Sequence, residues 1–450
     1  MLQTPVTESK QDREVLKEGL KNFCPSCENI TSSRLLEIDG KVYLEKDCCT
    51  EELVHVENDP EFYKEYINNT EIEPPVSSPK NYKEVLYKNP NYATSSINIY
   101  VTTQCNMDCP ICYLKWNGYH NDESLDMDLD QIKKVAERYE SNNLCICGGE
   151  VTKREDLPEI IKTIKENGNI PGIITNGLKL KDRDYVEKLK EAGLEYIGLQ
   201  FDGFDRTANL MLRGQDTLGD RLEVLKNVSE VGGMRTELVS TIDKQSNGTE
   251  MANIIDFALG TELIDKIHFV GLDCRGIDEK ETTKISDMVG ILERDGYLSR
   301  NYFLELVKMY NNIDKTLRKL FNSSPFEDKV LGMIPGHYNK VHFKKGGDRS
   351  EPLLKMNEIN RINNAFEEAL NRKSRVSSLL HVTKKFKDLI STSLKEIFKD
   401  KILGLDRTDL EVSFHELSGV EDRLLNAPRK VVPVSTEFSK DDKTVEITPS

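Results

Sequence analysis

The sequence lacks any run of about 18 apolar residues, the length that a membrane-spanning helix requires. Its first residues, MLQTPVTESKQDREVLKEG, are polar and contain no apolar core of a secretion signal. A basic balance is also missing, because the formal net charge is −15. Such a chain has no general attraction to nucleic acid or to an anionic membrane. We therefore expect a cytoplasmic protein with no nucleic-acid partner and no transmembrane segment, while peripheral membrane contact stays open.

Cysteine is absent after Cys274 and is concentrated in tight groups before it. In a long chain without a secretion signal, grouped cysteines favour metal binding over disulfides. The groups are Cys24/Cys27, Cys48/Cys49 and Cys105/Cys109/Cys112.

Apolar runs alternate with helical patterns between residues 96 and 280. The runs are INIYVT (97–102), LCIC (144–147), GIIT (172–175), EYIGLQF (195–201), ELVSTI (237–242) and KIHFVGL (266–272). Strands joined by helical crossovers pair in parallel. Six strands are fewer than the eight of a closed barrel. We therefore predict an α/β fold, a partial (β/α)6 TIM-like barrel.

The other segments differ in composition. Residues 1–60 are expected to form a rubredoxin-like or zinc-knuckle-like segment in which Asp39-Gly40 predicts a hairpin turn. The proline-containing stretch 61–95 is predicted to be a linker. Residues 281–425 are mainly helical in pattern and are expected to cap the substrate, and 426–450 are expected to form a flexible tail.

A C-x3-C-x2-C motif follows the first strand of the alternating region. Its three thiolates, from Cys105, Cys109 and Cys112, could bind three corners of a [4Fe–4S] cluster, which ordinarily takes four cysteines. The missing fourth ligand would leave one iron open to a small molecule, as in catalytic metal sites. A structural zinc site or an ordinary ferredoxin-type site is the alternative.

The second strand ends in Gly148-Gly149-Glu150. Two glycines allow close backbone approach to a ligand, and Glu150 supplies an anion for an ammonium group. Together, this motif and the cysteine motif resemble the radical S-adenosylmethionine (SAM) superfamily. The resemblance implies that the three cysteines bind a [4Fe–4S] cluster whose open iron chelates the amino and carboxylate groups of SAM. An external one-electron reductant of the ferredoxin or flavodoxin type then drives cleavage of SAM to methionine and a 5′-deoxyadenosyl radical, which takes a hydrogen atom from substrate.

The resemblance also implies contacts with SAM. Ile111 would pack on the adenine, and the Gly148–Glu150 segment would contact the amino group. The segment TNGLKL, which contains Asn176, resembles the end of the family's third strand. Gln200 and Asp202 point the same way by strand alternation and are expected to face the ribose. Arg213 would meet the SAM carboxylate, with an ordinary surface arginine as the alternative.

The N-terminal cysteine pairs are typical of a zinc or iron site. Before such a core, they resemble the branch of the archaeal tetraether lipid synthase and the dihydropterin methyltransferase. That branch usually reads Cys-x-x-His in the second half, whereas this chain reads Cys48-Cys49-Thr50-Glu51. Cys49 or His55 could complete the site with Cys24, Cys27 and Cys48, and three ligands plus water, or no metal, remain open.

Cys145 and Cys147 share one face of the second strand, and Cys274 ends the sixth. They are either thiols that quench radicals or contact substrate, or small buried filler. The resemblance implies a substrate that is a small molecule or a lipid, and a reaction that ends in methylation or C–C bond formation. The alternatives are a non-catalytic Fe–S or metal-binding scaffold and a radical SAM peptide-modifying enzyme.

Overall fold

The computed structural model describes 13–23, 30–47, 52–70, 96–116, 118–138, 143–272, 282–321, 340–345, 352–374, 376–378, 380–381, 384–385 and 409–416. The predicted N-terminal metal ligands Cys24, Cys27, Cys48 and Cys49, and also Cys274, lie outside these residues. Within them, no helix has the length and apolar character needed to cross a membrane.

The N-terminal part is a four-stranded antiparallel sheet in chain order. Its strands are β1 (Arg13–Phe23), β2 (Ile30–Ile38), β3 (Lys41–Asp47) and β4 (Glu52–Glu57). Asp39 (φ 50°) and Gly40 (φ 72°) connect β2 to β3. Positive φ at both central residues is what a tight hairpin turn requires, so the predicted hairpin is confirmed.

Residues predicted as the start of a linker form helix α1 (Pro60–Thr70) instead. The ring of Phe62 stacks on Phe303 with centroids 6.1 Å apart. Asp59, just before the helix, pairs with Arg300 at 2.8 Å. Both partners belong to the C-terminal part of the chain, so α1 fixes the N-terminal sheet against it.

The main sheet contains the six predicted parallel strands as neighbours in chain order. They are β5 (Ser96–Thr102), β6 (Asn143–Gly148), β7 (Ile170–Thr175), β8 (Tyr196–Gln200), β9 (Arg235–Ile242) and β10 (Ile264–Gly271). The helices between them are α2 (Tyr113–Trp116), α3 (Leu129–Arg138), α4 (Leu157–Glu166), α5 (Arg183–Glu191), α6 (Arg206–Arg213), α7 (Leu218–Val231) and α8 (Glu250–Leu259). The partial (β/α)6 arrangement is therefore confirmed.

The C-terminal region extends this sheet, which the sequence pattern did not predict. It contributes helices α9 (Ile285–Arg294), α10 (Arg300–Phe321) and α11 (Met356–Leu370), as expected of a mainly helical segment. It also contributes strands β11 (Lys340–Lys344) and β12 (Asp409–Glu416). β12 pairs in parallel with β10, and β11 pairs antiparallel with β12, so the sheet has eight strands.

Strand alternation divides the main sheet into two faces. One face packs on the helices and supplies the main apolar core, with the fully buried side chains Ile99, Ile146, Ile173, Ile197, Leu238 and Ile267. Burying each such side chain contributes about 1.5–3 kcal/mol. The opposite face, called the inner face below, carries Cys145, Cys147, Tyr196, Glu237, Lys266, His268 and Glu411.

Candidate active site

The cluster loop, residues 103–112, follows the carboxyl end of β5 and carries the three motif cysteines. All three thiols are free and partly exposed. The Asn121 side chain accepts a 2.8 Å hydrogen bond from the Cys105 backbone N–H. The Cys112 N–H donates to the Cys109 carbonyl at 3.2 Å, which closes a turn between these two ligands. The loop backbone therefore orients the cysteines without any of them forming a disulfide.

The sulfur environment fits a group that binds thiolates. Burial raises the pKa of Cys105 to about 11, and the nearby Cys109, Cys112 and Glu150 add to the rise. Burial also raises the pKa of Cys109, against the effect of the Arg213 guanidinium. The Met107 N–H donates to Cys105 Sγ at 3.4 Å. A donor directed at Cys105 Sγ, together with repulsion between thiolates that bound iron would relieve, fits ligands of a [4Fe–4S] cluster.

A site for a single metal ion would need three or more suitable side chains close together. Among the residues that the structure describes, no three His, Cys, Asp or Glu side chains are placed to hold one ion.

Gly148 and Gly149 bring the end of β6 onto the start of the cluster loop. A Cβ at Gly148 would lie 2.1 Å from the Thr102 carbonyl oxygen, and one at Gly149 would lie 2.5 Å from the Thr103 and Gln104 carbonyl oxygens. The Gly149 N–H donates to Thr102 O at 2.9 Å, and the Glu150 N–H donates to Gln104 O at 2.7 Å. The sequence predicts that these glycines let the backbone approach a ligand; the structure shows that they also let it approach the protein backbone at Thr102, Thr103 and Gln104.

Glu150 is buried, and its carboxylate connects three segments. Oε1 accepts hydrogen bonds from the Thr152 N–H (3.0 Å), the Thr152 hydroxyl (2.6 Å) and the Thr175 hydroxyl (2.7 Å). Oε2 accepts one from the Asn176 N–H at 2.7 Å. Because a carboxylate oxygen has room for more than one donor, Oε2 retains capacity for an ammonium group.

Two asparagines connect the cluster loop to its surroundings. Asn176, expected among the SAM contacts, donates from Nδ2 to Asn106 Oδ1 at 2.7 Å. Asn121 has a left-handed backbone (φ 61°) and bonds the Cys105 backbone. Sequence reasoning missed Asn121, and its only local signal is that asparagine tolerates positive φ better than most residues.

Gln200, the last residue of β8, lies together with Asp202 and Arg213, which follow this strand. Arg213 donates from Nε to Asp202 Oδ2 at 2.6 Å and from Nη2 to Asp202 Oδ1 at 2.9 Å. Gln200 also donates to Asp202. Burial lowers the pKa of Arg213, but the Asp202 carboxylate outweighs this effect and raises the pKa above its ordinary value. Arg213 is 12% exposed, so it is not an ordinary surface arginine.

Cys145, Cys147 and Tyr196 form a small apolar group on the inner face, separate from the main core. The two sulfurs are 3.6 Å apart. These thiols are buried, as filler would be, but they line the sheet face opposite the helices. Ile111 lies partly buried within the cluster loop.

Comparison with known proteins matches residues 99–258 to the Radical SAM superfamily. The chain is 32% identical over 308 residues to the 7,8-dihydro-6-hydroxymethylpterin dimethyltransferase of Methanocaldococcus jannaschii, which covers 63% of this chain and 60% of that relative. It is 29% identical over 236 residues to a probable GTP 3′,8-cyclase of Sulfolobus acidocaldarius, with 48% of this chain and 73% of the relative covered. The chain thus spans 60% of the length of the dimethyltransferase.

Among solved structures, Streptococcus suis SuiB is similar over 57% of this chain and 65% of its own, with 19% identity and a TM-score of 0.38. The matched segment 99–258 contains the three cysteines and the Gly148–Glu150 segment described above. A [4Fe–4S] cluster and SAM are the cofactors of that superfamily. Residues 99–258 of the chain are thus similar to the Radical SAM superfamily.

Proposed function

We propose that this chain is an enzyme that cleaves SAM reductively and removes a hydrogen atom from an unreactive C–H bond of a polar small molecule. The reaction then ends in methylation or C–C bond formation. When bound, the [4Fe–4S] cluster supplies the electron that splits SAM. Cys105, Cys109 and Cys112 would hold the cluster, and Glu150 would orient the SAM amino group through Oε2.

The observation that carries the choice of a polar substrate is a row of charged side chains across the inner face. Strand register aligns Glu237 of β9, Lys266 of β10, Glu411 of β12 and His342 of β11. Lys266 Nζ lies 3.1 Å from Glu411 Oε1, and His342 Nε2 lies 4.0 Å from Glu411 Oε2. Carboxylates and basic side chains therefore alternate across four neighbouring strands.

His268, two residues after Lys266 on the same face of β10, extends this row along the strand. Its Nε2 lies 2.8 Å from Glu237 Oε2, and its Nδ1 lies 3.1 Å from Ser413 Oγ. Glu237 is 18% exposed and His268 13% exposed, so both side chains retain an open edge. Glu237 lies four residues before Thr241 on the same strand, about 13 Å along it, and Thr241 contacts Asp202 and Arg213.

Burying this row of side chains costs free energy unless polar groups pair with them. Taking ionised groups out of water is repaid only by good pairing and hydrogen bonding. An acyl chain pressed against these side chains would remove water from them and offer no hydrogen bond in return. A heterocycle with N–H and C=O groups offers such bonds, so the inner face favours it over a lipid.

The reactions named for the two relatives also favour this class, because dihydropterin and GTP both contain a nitrogen heterocycle. A lipid substrate has no comparable support from the inner face. We therefore place polar nitrogen heterocycles first among the substrates to be tested.

The experiment uses anaerobically reconstituted protein with SAM and dithionite. 6-Hydroxymethyl-7,8-dihydropterin, GTP and an archaeal lipid extract are supplied in separate reactions. Formation of 5′-deoxyadenosine and the product mass are measured in each. A polar substrate should accelerate 5′-deoxyadenosine formation and gain a methyl group or form a C–C bond, whereas acceleration only by the lipid extract would contradict the proposal.

Two variants link the effect to the inner face. Glu237→Gln should raise KM for the polar substrate about tenfold, as expected when one charged hydrogen bond is lost. Substrate-independent cleavage of SAM should continue in this variant. Glu187→Gln changes an exposed carboxylate on helix α5 and should leave KM unchanged. Equal KM values for Glu237→Gln and Glu187→Gln would show that the substrate does not bind at the inner face.

A further inference from the structure

The inner face carries a pair of thiols on β6, just before the segment that would contact SAM. The sulfurs of Cys145 and Cys147 are 3.6 Å apart. Cys147 lies three residues before Glu150, so the backbone between them spans at most about 11 Å. Cys147 is 5% exposed, whereas Ile146, on the opposite face of the same strand, is 0% exposed. The thiol pair therefore lies at the inner face and outside the main core.

Strand register places Cys147 at the same level of the sheet as Glu237. Ile174 of β7 packs against the thiol pair and is aligned with Gly198 of β8. Gly198 is in turn aligned with Glu237 of β9. Three strand spacings separate the thiol from the carboxylate, about 14 Å along the sheet. Because Gly198 has no side chain, a flat molecule held by Glu237 has room to extend over β8 towards Cys147.

Tyr196 lies beside the thiol pair and carries an unpaired polar atom. Its ring covers Gly172, because a Cβ built at this glycine would lie 2.0 Å from Tyr196 Cζ. Register aligns Gly172 with Tyr196 on one side and with Cys145 on the other, so the ring extends from β8 towards the thiols. Tyr196 is 5% exposed, and its hydroxyl has no hydrogen-bond partner within the part of the chain that the structure describes. A buried hydroxyl of this kind costs free energy unless a bound molecule pairs with it, which supports a polar ligand beside the thiols.

Thiols suit a step that the proposed reaction requires. When a carbon radical adds to a C=N or C=C bond of a heterocycle, the adduct is itself a radical and needs one hydrogen atom to become a closed-shell product. An S–H bond is weaker than most C–H bonds, so a thiol gives its hydrogen atom to a carbon radical. An aliphatic hydroxyl does not, because its O–H bond is stronger.

We propose that Cys147 donates this hydrogen atom to the adduct radical and that Cys145 resupplies it. The S–H bond of Cys147 breaks and a C–H bond of the product forms, which leaves an unpaired electron on sulfur. The hydrogen of Cys145 then crosses the 3.6 Å contact, which moves the unpaired electron to the sulfur farther from Glu150. One electron from the external reductant and one proton restore the thiol. This inference rests on the proposed function and names the residue that completes its C–C bond formation.

The test repeats the reactions with 6-hydroxymethyl-7,8-dihydropterin and with GTP in D2O, where thiol hydrogens exchange for deuterium. The parent product should carry a carbon-bound deuterium. Cys147→Ser keeps the size of the side chain but lacks the weak S–H bond, so 5′-deoxyadenosine should still form while the coupled product is lost. Ile174→Val changes a neighbouring side chain of the inner face and should retain both the product and its deuterium.

A parent product without carbon-bound deuterium, or equal product yields from the parent and Cys147→Ser, would overturn the inference. Conversion of neither compound would instead contradict the proposed substrate class. The role of Cys147 is then decided without substrate, when the 5′-deoxyadenosyl radical is left to react with the protein. In D2O, the parent should form more deuterated 5′-deoxyadenosine than Cys147→Ser, and an equal deuterium content in the two would also overturn the inference.

Discussion

The Glu150 carboxylate accepts a 2.7 Å hydrogen bond from the Thr175 hydroxyl, which joins the ends of two neighbouring strands beside the cluster loop. Thr175→Val removes this one bond and should lower the free energy of unfolding by about 1 kcal/mol. Glu150→Gln should cost more, about 3 kcal/mol, because an amide nitrogen would face N–H groups that now donate to a carboxylate. Urea unfolding of both variants measures the difference, and a Glu150→Gln protein as stable as the parent would contradict this role.

The two glycines after β6 predict a loss of cluster binding when either gains a side chain. Gly149→Ala places a methyl group 2.5 Å from two carbonyl oxygens of the cluster loop, so the loop must move. We expect the iron-to-protein ratio after reconstitution to fall by at least about half, together with a loss of about 1–3 kcal/mol in unfolding free energy.

Gly219→Ala is the matched control for this change. Gly219 lies in the first turn of α7, and a Cβ there meets no atom within 4 Å. Alanine should be neutral or stabilising by up to about 1 kcal/mol at such a position. Iron content that falls equally in both variants would show that the loop does not depend on the close approach at Gly149.

The inner-face row predicts a specific pH dependence of stability. Burial raises the pKa of Glu237, but Lys266, His268 and Arg235 outweigh it and bring the pKa to about 2, below the ordinary 4.5. The folded protein therefore binds fewer protons here than the unfolded chain. The contribution to stability is fully present above pH about 4.5 and is lost as the pH falls towards about 2.

Glu237→Gln should remove this part of the acid sensitivity. The free energy of unfolding of the parent should fall more steeply than that of the variant between neutral pH and about pH 3. The exposed-site variant Glu187→Gln should follow the parent curve. Parallel curves for parent and Glu237→Gln would mean that this carboxylate is not held ionised by its neighbours.

The barrel was predictable because its signal is local. Each predicted strand is a short apolar run bounded by helical pattern, and the side chains Ile146, Ile173 and Ile197 pack in the core as such runs require. The cluster loop and the segment after β6 were also predictable, because motif spacing and strand ends place them at one edge of the sheet.

The extension of the sheet depends on long-range pairing that the sequence does not reveal. Strand β12 pairs with β10, and its Ser413 contacts His268 across a sequence separation of 145 residues. Strands β11 (KVHFK) and β12 (DLEVSFHE) alternate apolar and polar residues, but this alternation does not reveal which strand each of them pairs with. The inner-face row was missed for the same reason, because Glu411 joins Lys266 only once this pairing is known.

The contacts of Arg213 were also beyond sequence reasoning. Its position after β8 indicated a place near SAM, but its hydrogen bonds to Asp202 and Thr241 depend on how α6 packs beside β9. Spacing along the chain carries no information about that packing.

The central claim is that Cys105, Cys109 and Cys112 hold a cluster that cleaves SAM. The most direct measurement is 5′-deoxyadenosine formation by anaerobically reconstituted protein with SAM and dithionite, compared between the parent and Cys105→Ala. The account predicts turnover in the parent and its loss in the variant, while Cys145→Ala, which changes an inner-face thiol outside the cluster loop, retains it. Turnover that survives in Cys105→Ala would contradict the account.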